Sequence, residues 1–422
     1  MSSLNVFFED ILVGKLSQSE DLTYSFVYSE KWLGFKNQFP LSLAMPLQAE
    51  AFGNRVTLSF FENLLPEGDV RDAVAKSNHV GSPYEFLKEH GEDCAGAIIV
   101  SGQDESPYKP DRLQKKVPID MDLIYQAIAN HHSVAQVISE LNPGYLSLAG
   151  AQDKFPAIFK DQQFFLPTDA APTSHIVKVP IHRQGVKESV FNEYYCMQLA
   201  GLCGFQIPQN QVVHDGKFPL FVIERYDRSQ EVNGVLRRIH QQDFCQAQGV
   251  TSERKYEAKG GPSIKNNYDL IVTNVTYKER PRSTYAFLDW ICFNLLIGNN
   301  DSHSKNISFL MKDGKIELAP IYDLVSTALY ASLKKTFSFK IGGRDDYSQI
   351  GKDELETLDQ ELGLKLGTME ERIGLTYRKM ASHKDDLALQ ISDTFNGVKI
   401  VKRIAELIGD RARDFQQQGL HL

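Results

Sequence analysis

Several things the sequence lacks narrow what it can do. No apolar run is long enough to span a bilayer, so no membrane span is expected. The opening residues Met1-Ser2-Ser3-Leu4-Asn5 carry no basic segment followed by an apolar one, so no secretory leader is expected and the cytoplasm is the expected location. Cysteine is scarce, at five of 422 residues, and the five (Cys94, Cys196, Cys203, Cys245 and Cys292) show no zinc-site spacing. They read as free thiols that serve as small core residues in a reducing compartment. There is no excess of positive charge either. A net charge of −8 argues against broad, direct contact with a nucleic-acid backbone, while leaving room for a local basic patch. Low-complexity tracts are absent. What remains, 42% hydrophobic and 24% charged, is an ordinary globular composition, and the length suits two domains or one large domain with lobes.

In chain order, alternation over 5–16 with a turn at Gly14, continued by Leu22, Tyr24, Phe26 and Tyr28, predicts strands with one buried face. Phe60, Phe61, Leu64 and Leu65 give a short helical stripe stopped at Pro66, and 95–100 reads as another strand. These elements make residues 1–105 a small α+β subdomain. The polar stretch 103–118, broken by Pro107, Pro110 and Pro118, reads as a connector. A helix is expected over 121–141, with His131-His132 near its middle in a solvent-facing or packing role. Residues 106–230 form a second segment and 231–422 a third, mostly helical one. A helix over 237–249 opens that third segment. A last helix buries Val401, Ile404, Ala405, Ile408 and Ala412 and turns Lys402, Arg403, Arg411 and Arg413 outward.

The stretch that organises the chain is Gly298-Asn299-Asn300-Asp301-Ser302-His303-Ser304-Lys305-Asn306, followed by Tyr322-Asp323. It comes after a strongly apolar run, 287–297, that reads as a buried helix. A β-hairpin with a turn at Gly314 separates it from the second aspartate. An aspartate, an asparagine five residues later and a second aspartate after a hairpin is the order protein kinases use. There the first carboxylate takes the proton of the acceptor hydroxyl, and the other two hold magnesium. Phosphoryl transfer calls for those residue types: a base aimed at the nucleophile, and hard oxygen ligands for the metal.

Other signals fall upstream in a consistent order. Ser147-Leu148-Ala149-Gly150-Ala151-Gln152-Asp153-Lys154 ends at a strand. Its small residues, amide and lysine suit a loop whose N–H groups approach phosphates, although it is neither a Walker loop nor Gly-x-Gly-x-x-Gly, and a plain turn fits it as well. Lys178, on the apolar strand 175–180, is costly to bury without an anion beside it. Glu193, near the start of the helix 190–202, is either the partner of such a lysine or a surface acid favoured by the helix dipole. The strand 221–224 turns abruptly polar at Glu224-Arg225-Tyr226, where a kinase hinge would bind adenine through the Glu224 carbonyl and the Tyr226 N–H.

With these residues in order, the sequence resembles the HipA-type serine/threonine kinase toxins of bacterial toxin–antitoxin systems. The matching segments include 147–154, 175–180, Asn192-Glu193-Tyr194-Tyr195-Cys196, Glu224-Arg225-Tyr226-Asp227-Arg228, Gln242-Asp243-Phe244-Cys245-Gln246, Lys255-Tyr256-Glu257 with Gly260-Gly261-Pro262, 300–306 and Tyr322-Asp323. One departure is Asp153, where the family pattern has glutamate. The resemblance implies an α+β, two-lobed protein-kinase-like fold, with an N-terminal α+β subdomain, an ATP-binding lobe and a mostly helical C-terminal lobe. It implies Asp301 as catalytic base, with His303 and Lys305 supporting the catalytic loop, and Asn306 and Asp323 as Mg2+ ligands. For ATP it implies Ala149, Gly150, Ala151, Gln152, Asp153, Lys154, Lys178, Glu224, Arg225, Tyr226 and Tyr322. It further implies silencing by autophosphorylation at Ser147, neutralisation by a small helix-turn-helix antitoxin, operator DNA contact mostly through that antitoxin, and a protein substrate in translation such as an aminoacyl-tRNA synthetase. Two other readings are a kinase-fold scaffold that bridges antitoxin on DNA and a small-molecule phosphotransferase.

Overall fold

The computed structural model describes residues 2–109, 115–145, 149–230 and 236–422. Backbone contacts gather the chain into two units that do not follow the expected boundaries at 105 and 230. One comprises Met1–Val179, Val213–Ser252 and Ser308–Lys315, and the other Pro180–Val212, Glu253–Ile307 and Ile316–Leu422.

Two larger sheets, built from antiparallel pairs, lie in the first unit. One runs in the order Tyr24–Tyr28, Ile11–Gln18, Ser2–Phe8, Ile98–Ser101. Its apolar face packs Leu4, Val6, Leu16 and Phe26 against Trp32, Phe60 and Phe61, as the period-two pattern requires. The expected turn at Gly14 lies instead at Glu9-Asp10, where Glu9 takes φ 52°. Gly14 sits inside the second strand because Phe26 crosses over it. A Cβ there would come within 2.3 Å of the Val27 carbonyl oxygen.

The other sheet includes Lys116–Pro118, Gln163–Pro167, Lys154–Lys160, His175–Lys178 and Leu220–Glu224 in that spatial order. Phe155, Val177, Leu220 and Val222 on this sheet share a core with Ile124, Ile128 and Ile138. Those last three come from two helices, Met121–Ala129 and Val134–Leu141, and not from the single helix expected over 121–141. The break has a local cause. Asn130 caps the first helix, His131 takes φ 57°, and Ser133 opens the second by accepting from Gln136 N–H. The two histidines therefore lie in the link.

The helix expected over 237–249 is also absent. Leu236–Arg238 and His240–Asp243 are strands, the latter antiparallel to Ser308–Lys312, and only Phe244–Ala247 is helical. Buried Gln242, Asp243 and Gln246 make this helix start where it does, since Asp243 and Gln246 form a reciprocal capping box.

The second unit is mostly helical. Its centre is Arg280–Ile297, every residue of which from Trp290 onward is buried, so this C-terminal half has no solvent face. Around it lie Ile264–Asn274, Thr368–Ala381 and Ile400–Gln417. The last helix buries the expected stripe, but Arg411 is buried with it. Its guanidinium donates to the Leu295 carbonyl at 2.7 Å and lies 3.5 Å from the centre of the Tyr347 ring. Among the described residues no helix is long and apolar enough to cross a membrane.

Candidate active site

The loop 298–306 is aimed by the end of the buried helix Arg280–Ile297. Gly298 stops that helix at φ 69°, and a Cβ there would lie 2.7 Å from Ala328 Cβ, so glycine is required twice over. Asn299 then turns back, with its N–H donating to the Asn294 carbonyl at 2.9 Å. Its side chain ties three places together. Nδ2 donates to Asn294 Oδ1 at 2.8 Å and, more weakly, to the Asp323 carbonyl at 3.4 Å, while Oδ1 accepts from Asp301 N–H at 3.1 Å. The two aspartates singled out in the sequence are thus joined through one buried amide.

The remaining contacts fix the loop itself. Asn306 Nδ2 donates to the Asp301 carbonyl at 3.0 Å, which directs the amide oxygen the other way. His303 starts a 3-10 turn, Ser304–Asn306, and its N–H donates to the Asp301 carbonyl at 3.0 Å. Lys305 is buried in that turn, and its carbonyl accepts from the Tyr322 hydroxyl at 2.7 Å. The hydroxyl of Tyr322, a residue expected among the ATP contacts, is engaged in holding the loop 298–306. Asp323 has φ 60°, a left-handed conformation uncommon for a residue with a side chain and more frequent where function demands it.

Among the described residues no group of three or more His, Cys, Asp or Glu is placed to hold a metal. A carboxylate at 323 and an amide oxygen at 306 are, by their chemistry, hard oxygen donors of the kind that suit Mg2+.

The other candidate residues, Glu193 apart, belong to the first unit. Lys154 and Lys178 are direct cross-strand partners, both at the ends of apolar strands, and Lys178 is buried. Like charges placed opposite one another repel, and an anion beside them relieves the repulsion. Gly150, at φ 108°, lies against the Lys154 ammonium, and its carbonyl accepts from Glu67 N–H at 3.0 Å. Ala149 and Ala151 flank it with small side chains. Gln152 Nε2 donates to the Val179 carbonyl at 3.3 Å. The Asp153 side chain is engaged at a helix start. Its carboxylate accepts from Val134 N–H at 2.7 Å, Ala135 N–H at 3.1 Å and Ser133 Oγ at 3.0 Å, so it caps the helix Val134–Leu141 and anchors the loop to it. Ser147 lies outside the described residues.

In the segment 224–226, Arg225 N–H donates to the Ser174 carbonyl at 2.9 Å and the Tyr226 hydroxyl donates to Gln241 Oε1 at 2.5 Å. The Arg225 side chain is buried against Asp93 and Asp227. Glu193 is buried within the helix Ser189–Leu202, which removes the surface-acid reading.

Tyr256 stood in the sequence only within a segment that matches the family, with no role of its own. Its hydroxyl donates to Asp301 Oδ1 at 2.5 Å, and its ring stands edge-on to His303 at 5.1 Å. Spacing could not find it, because 45 residues separate the two partners and nothing local marks the contact.

Comparison with known proteins agrees with this arrangement. The HipA N-terminal domain family matches residues 4–101, and the HipA-like C-terminal domain family matches residues 146–388. The chain is similar to the putative kinase Y4mE of Sinorhizobium fredii, with 34% identity over 416 residues, 97% of each chain. It is also similar to the serine/threonine-protein kinase toxin HipA of Shewanella oneidensis, with 30% identity over 376 residues, 86% of this chain and 84% of that one. Among solved structures, the complex of the Shewanella oneidensis MR-1 toxin–antitoxin system HipA, HipB and its operator DNA matches with a TM-score of 0.82 at 25% identity, covering 98% of this chain and 97% of that one.

Proposed function

This chain belongs to the HipA family of serine/threonine-protein kinase toxins, and from that premise we propose that it transfers the γ-phosphoryl group of ATP, with Mg2+, to a serine or threonine hydroxyl of a protein in translation. Asp301 takes the proton of the acceptor hydroxyl as its oxygen bonds to the γ-phosphorus and the bond to ADP breaks. Mg2+, when bound, neutralises phosphate charge, and Asp323 with the Asn306 amide oxygen would hold it. Lys178 and Lys154 counter the phosphates, the 149–154 loop lies over them, and the backbone of Glu224 and Tyr226 takes the adenine. His303 and Lys305 hold the loop that carries Asp301.

The observation that carries this reading is the Asn299 side chain, which reaches Asp301 N–H and the Asp323 carbonyl at once. A scaffold that only bridges other molecules needs no such link between two carboxylate-bearing loops. A small-molecule phosphotransferase would share the aspartates but not the family match along both halves of the chain.

The toxin is self-limited by phosphorylation of Ser147, since a dianion on a loop that must face ATP phosphates destabilises its bound position. A small helix-turn-helix antitoxin neutralises it and carries it to operator DNA. The solved relative in complex with HipB and operator DNA supports that partnership, and the net charge of −8 makes indirect DNA contact the better fit. Induced expression of the wild type should arrest growth, and Asp301→Asn at equal protein level should not. Equal arrest by both would mean that the toxicity is not phosphotransfer.

A further inference from the structure

We propose that Asp93 is a positioning residue for nucleotide binding. From the N-terminal region it grips Arg225 and so holds the backbone of Glu224–Tyr226 in the shape that takes adenine. This rests on the assignment of 224–226 as the adenine contact.

All the groups involved lie within the first unit. Asp93 Oδ2 accepts from Arg225 Nη1 at 2.9 Å, from Thr173 N–H at 3.3 Å and from the Thr173 hydroxyl. Its Oδ1 accepts from Arg228 Nη2 at 2.8 Å and Arg238 Nη2 at 3.2 Å. Arg225 also donates through Nε and Nη2 to Asp227, at 3.0 and 2.9 Å, and through Nη2 to the Cys94 carbonyl at 2.9 Å. Asp227 Oδ2 accepts from Gly96 N–H at 2.7 Å. The short segment 93–96 therefore grips both ends of the turn 225–228, and the side chains of Asp93, Arg225 and Arg228 are each no more than 2% exposed.

Buried ion clusters of this kind seldom stabilise more than apolar packing of the same volume would, so the geometry they impose is the better reason for one to be here. Burial pushes the Asp93 carboxyl up, and the Arg225, Arg228 and Arg238 guanidiniums outweigh it and hold the group below its ordinary range. Three guanidiniums share two carboxylates. Neutralising one leaves them facing a single anion away from water, and the turn must shift to rehydrate them. Because Glu224 and Tyr226 flank Arg225 directly, that shift falls on ATP affinity. Asp301, Asn306 and Asp323 are held by contacts of their own, so the chemical step is spared.

The test compares Asp93→Asn and the milder Thr173→Val with Glu62→Gln. Glu62 is a control buried elsewhere in the same unit, where it accepts from Ser252 N–H at 3.0 Å. ATP Kd by calorimetry, KM and kcat per folded molecule, and the thermal midpoint are measured on the full chain. We expect KM for ATP to rise roughly three- to tenfold in Thr173→Val and more than tenfold in Asp93→Asn, with kcat within about twofold, as befits lost binding common to ground and transition states. Glu62→Gln should lower the midpoint and leave KM unchanged. If Asp93→Asn does not fold, Thr173→Val decides. Wild-type KM in these variants, with only the midpoint lowered, overturns the inference alone. A folded wild type that binds no ATP overturns the nucleotide reading and this inference with it.

Discussion

Replacing Asp323 with glycine, asparagine or alanine separates what its backbone does from what its carboxylate does. Its φ of 60° is left-handed, where glycine is at ease and aspartate or asparagine is tolerated. Alanine there costs about 1–2 kcal/mol. Urea unfolding should therefore place the alanine variant about 1 kcal/mol or more below wild type, with glycine and asparagine close to it. The chemistry divides differently. All three substitutions remove the carboxylate proposed to hold the metal, and the transition-state charge stabilisation such a site supplies is several kcal/mol. At 1.36 kcal/mol per decade, a loss of about 4 kcal/mol lowers kcat/KM by roughly a thousandfold. The assay is Mg2+-dependent transfer of radiolabelled γ-phosphate to protein, run beside the unfolding curves. If the glycine variant keeps activity within tenfold of wild type, Asp323 holds no metal. If alanine is as stable as glycine, the left-handed conformation is not a constraint there.

Further outcomes follow from contacts within each unit. Asn299→Ala removes the amide that joins Asp301 to Asp323, so kcat should fall about 10- to 100-fold, as when a group supporting a metal ligand is lost, with ATP Kd within about threefold in calorimetry. Asp153→Ala strips three acceptors from the start of Val134–Leu141 and should cost about 1–2 kcal/mol in urea unfolding. His240 is buried, with Nε2 2.9 Å from the Leu41 carbonyl and the ring stacked on Phe39 at 4.4 Å. Burial pushes it down from 6.5 to about 4. The unfolded chain therefore holds a proton that the folded chain refuses, so this contribution is complete above about pH 6.5 and is lost as pH falls toward 4. The difference of 2.5 units at 1.36 kcal/mol each gives a loss of about 3 kcal/mol. In His240→Gln the fall between pH 7 and pH 5 should be visibly shallower, and parallel curves would show that the histidine does not couple to folding.

Much of this was legible in the sequence, and the misses have physical reasons. The apolar run 287–297 announced a buried helix, and the residues after it were correctly placed on a loop, because all-round burial and a glycine stop are local signals. Gly14 was mistaken for a turn because a glycine demanded by a neighbouring ring looks, in sequence, like one demanded by φ. The region 237–249 was read as helix because Gln242, Asp243 and Gln246 bury polar groups against distant partners. Gln242, for example, accepts from Leu43 N–H at 2.9 Å, and such contacts leave no periodicity. The side-chain partners of Arg225 and Asp153, and the Tyr256 contact with Asp301, went unseen. In each case the partner lies tens of residues away or in a cap, where spacing carries no information. Family resemblance gave the order of the functional segments, while the structure shows where the individual side chains are directed.

The most direct measurement is phosphate transfer by the purified full chain with Mg2+ and radiolabelled ATP, beside Asp301→Asn shown to be folded by its unfolding curve. The account predicts label on serine or threonine of protein with the wild type and its loss, by a thousandfold or so, with the variant. Equal labelling by the two proteins, or none from a wild type that is folded and unphosphorylated, would contradict it.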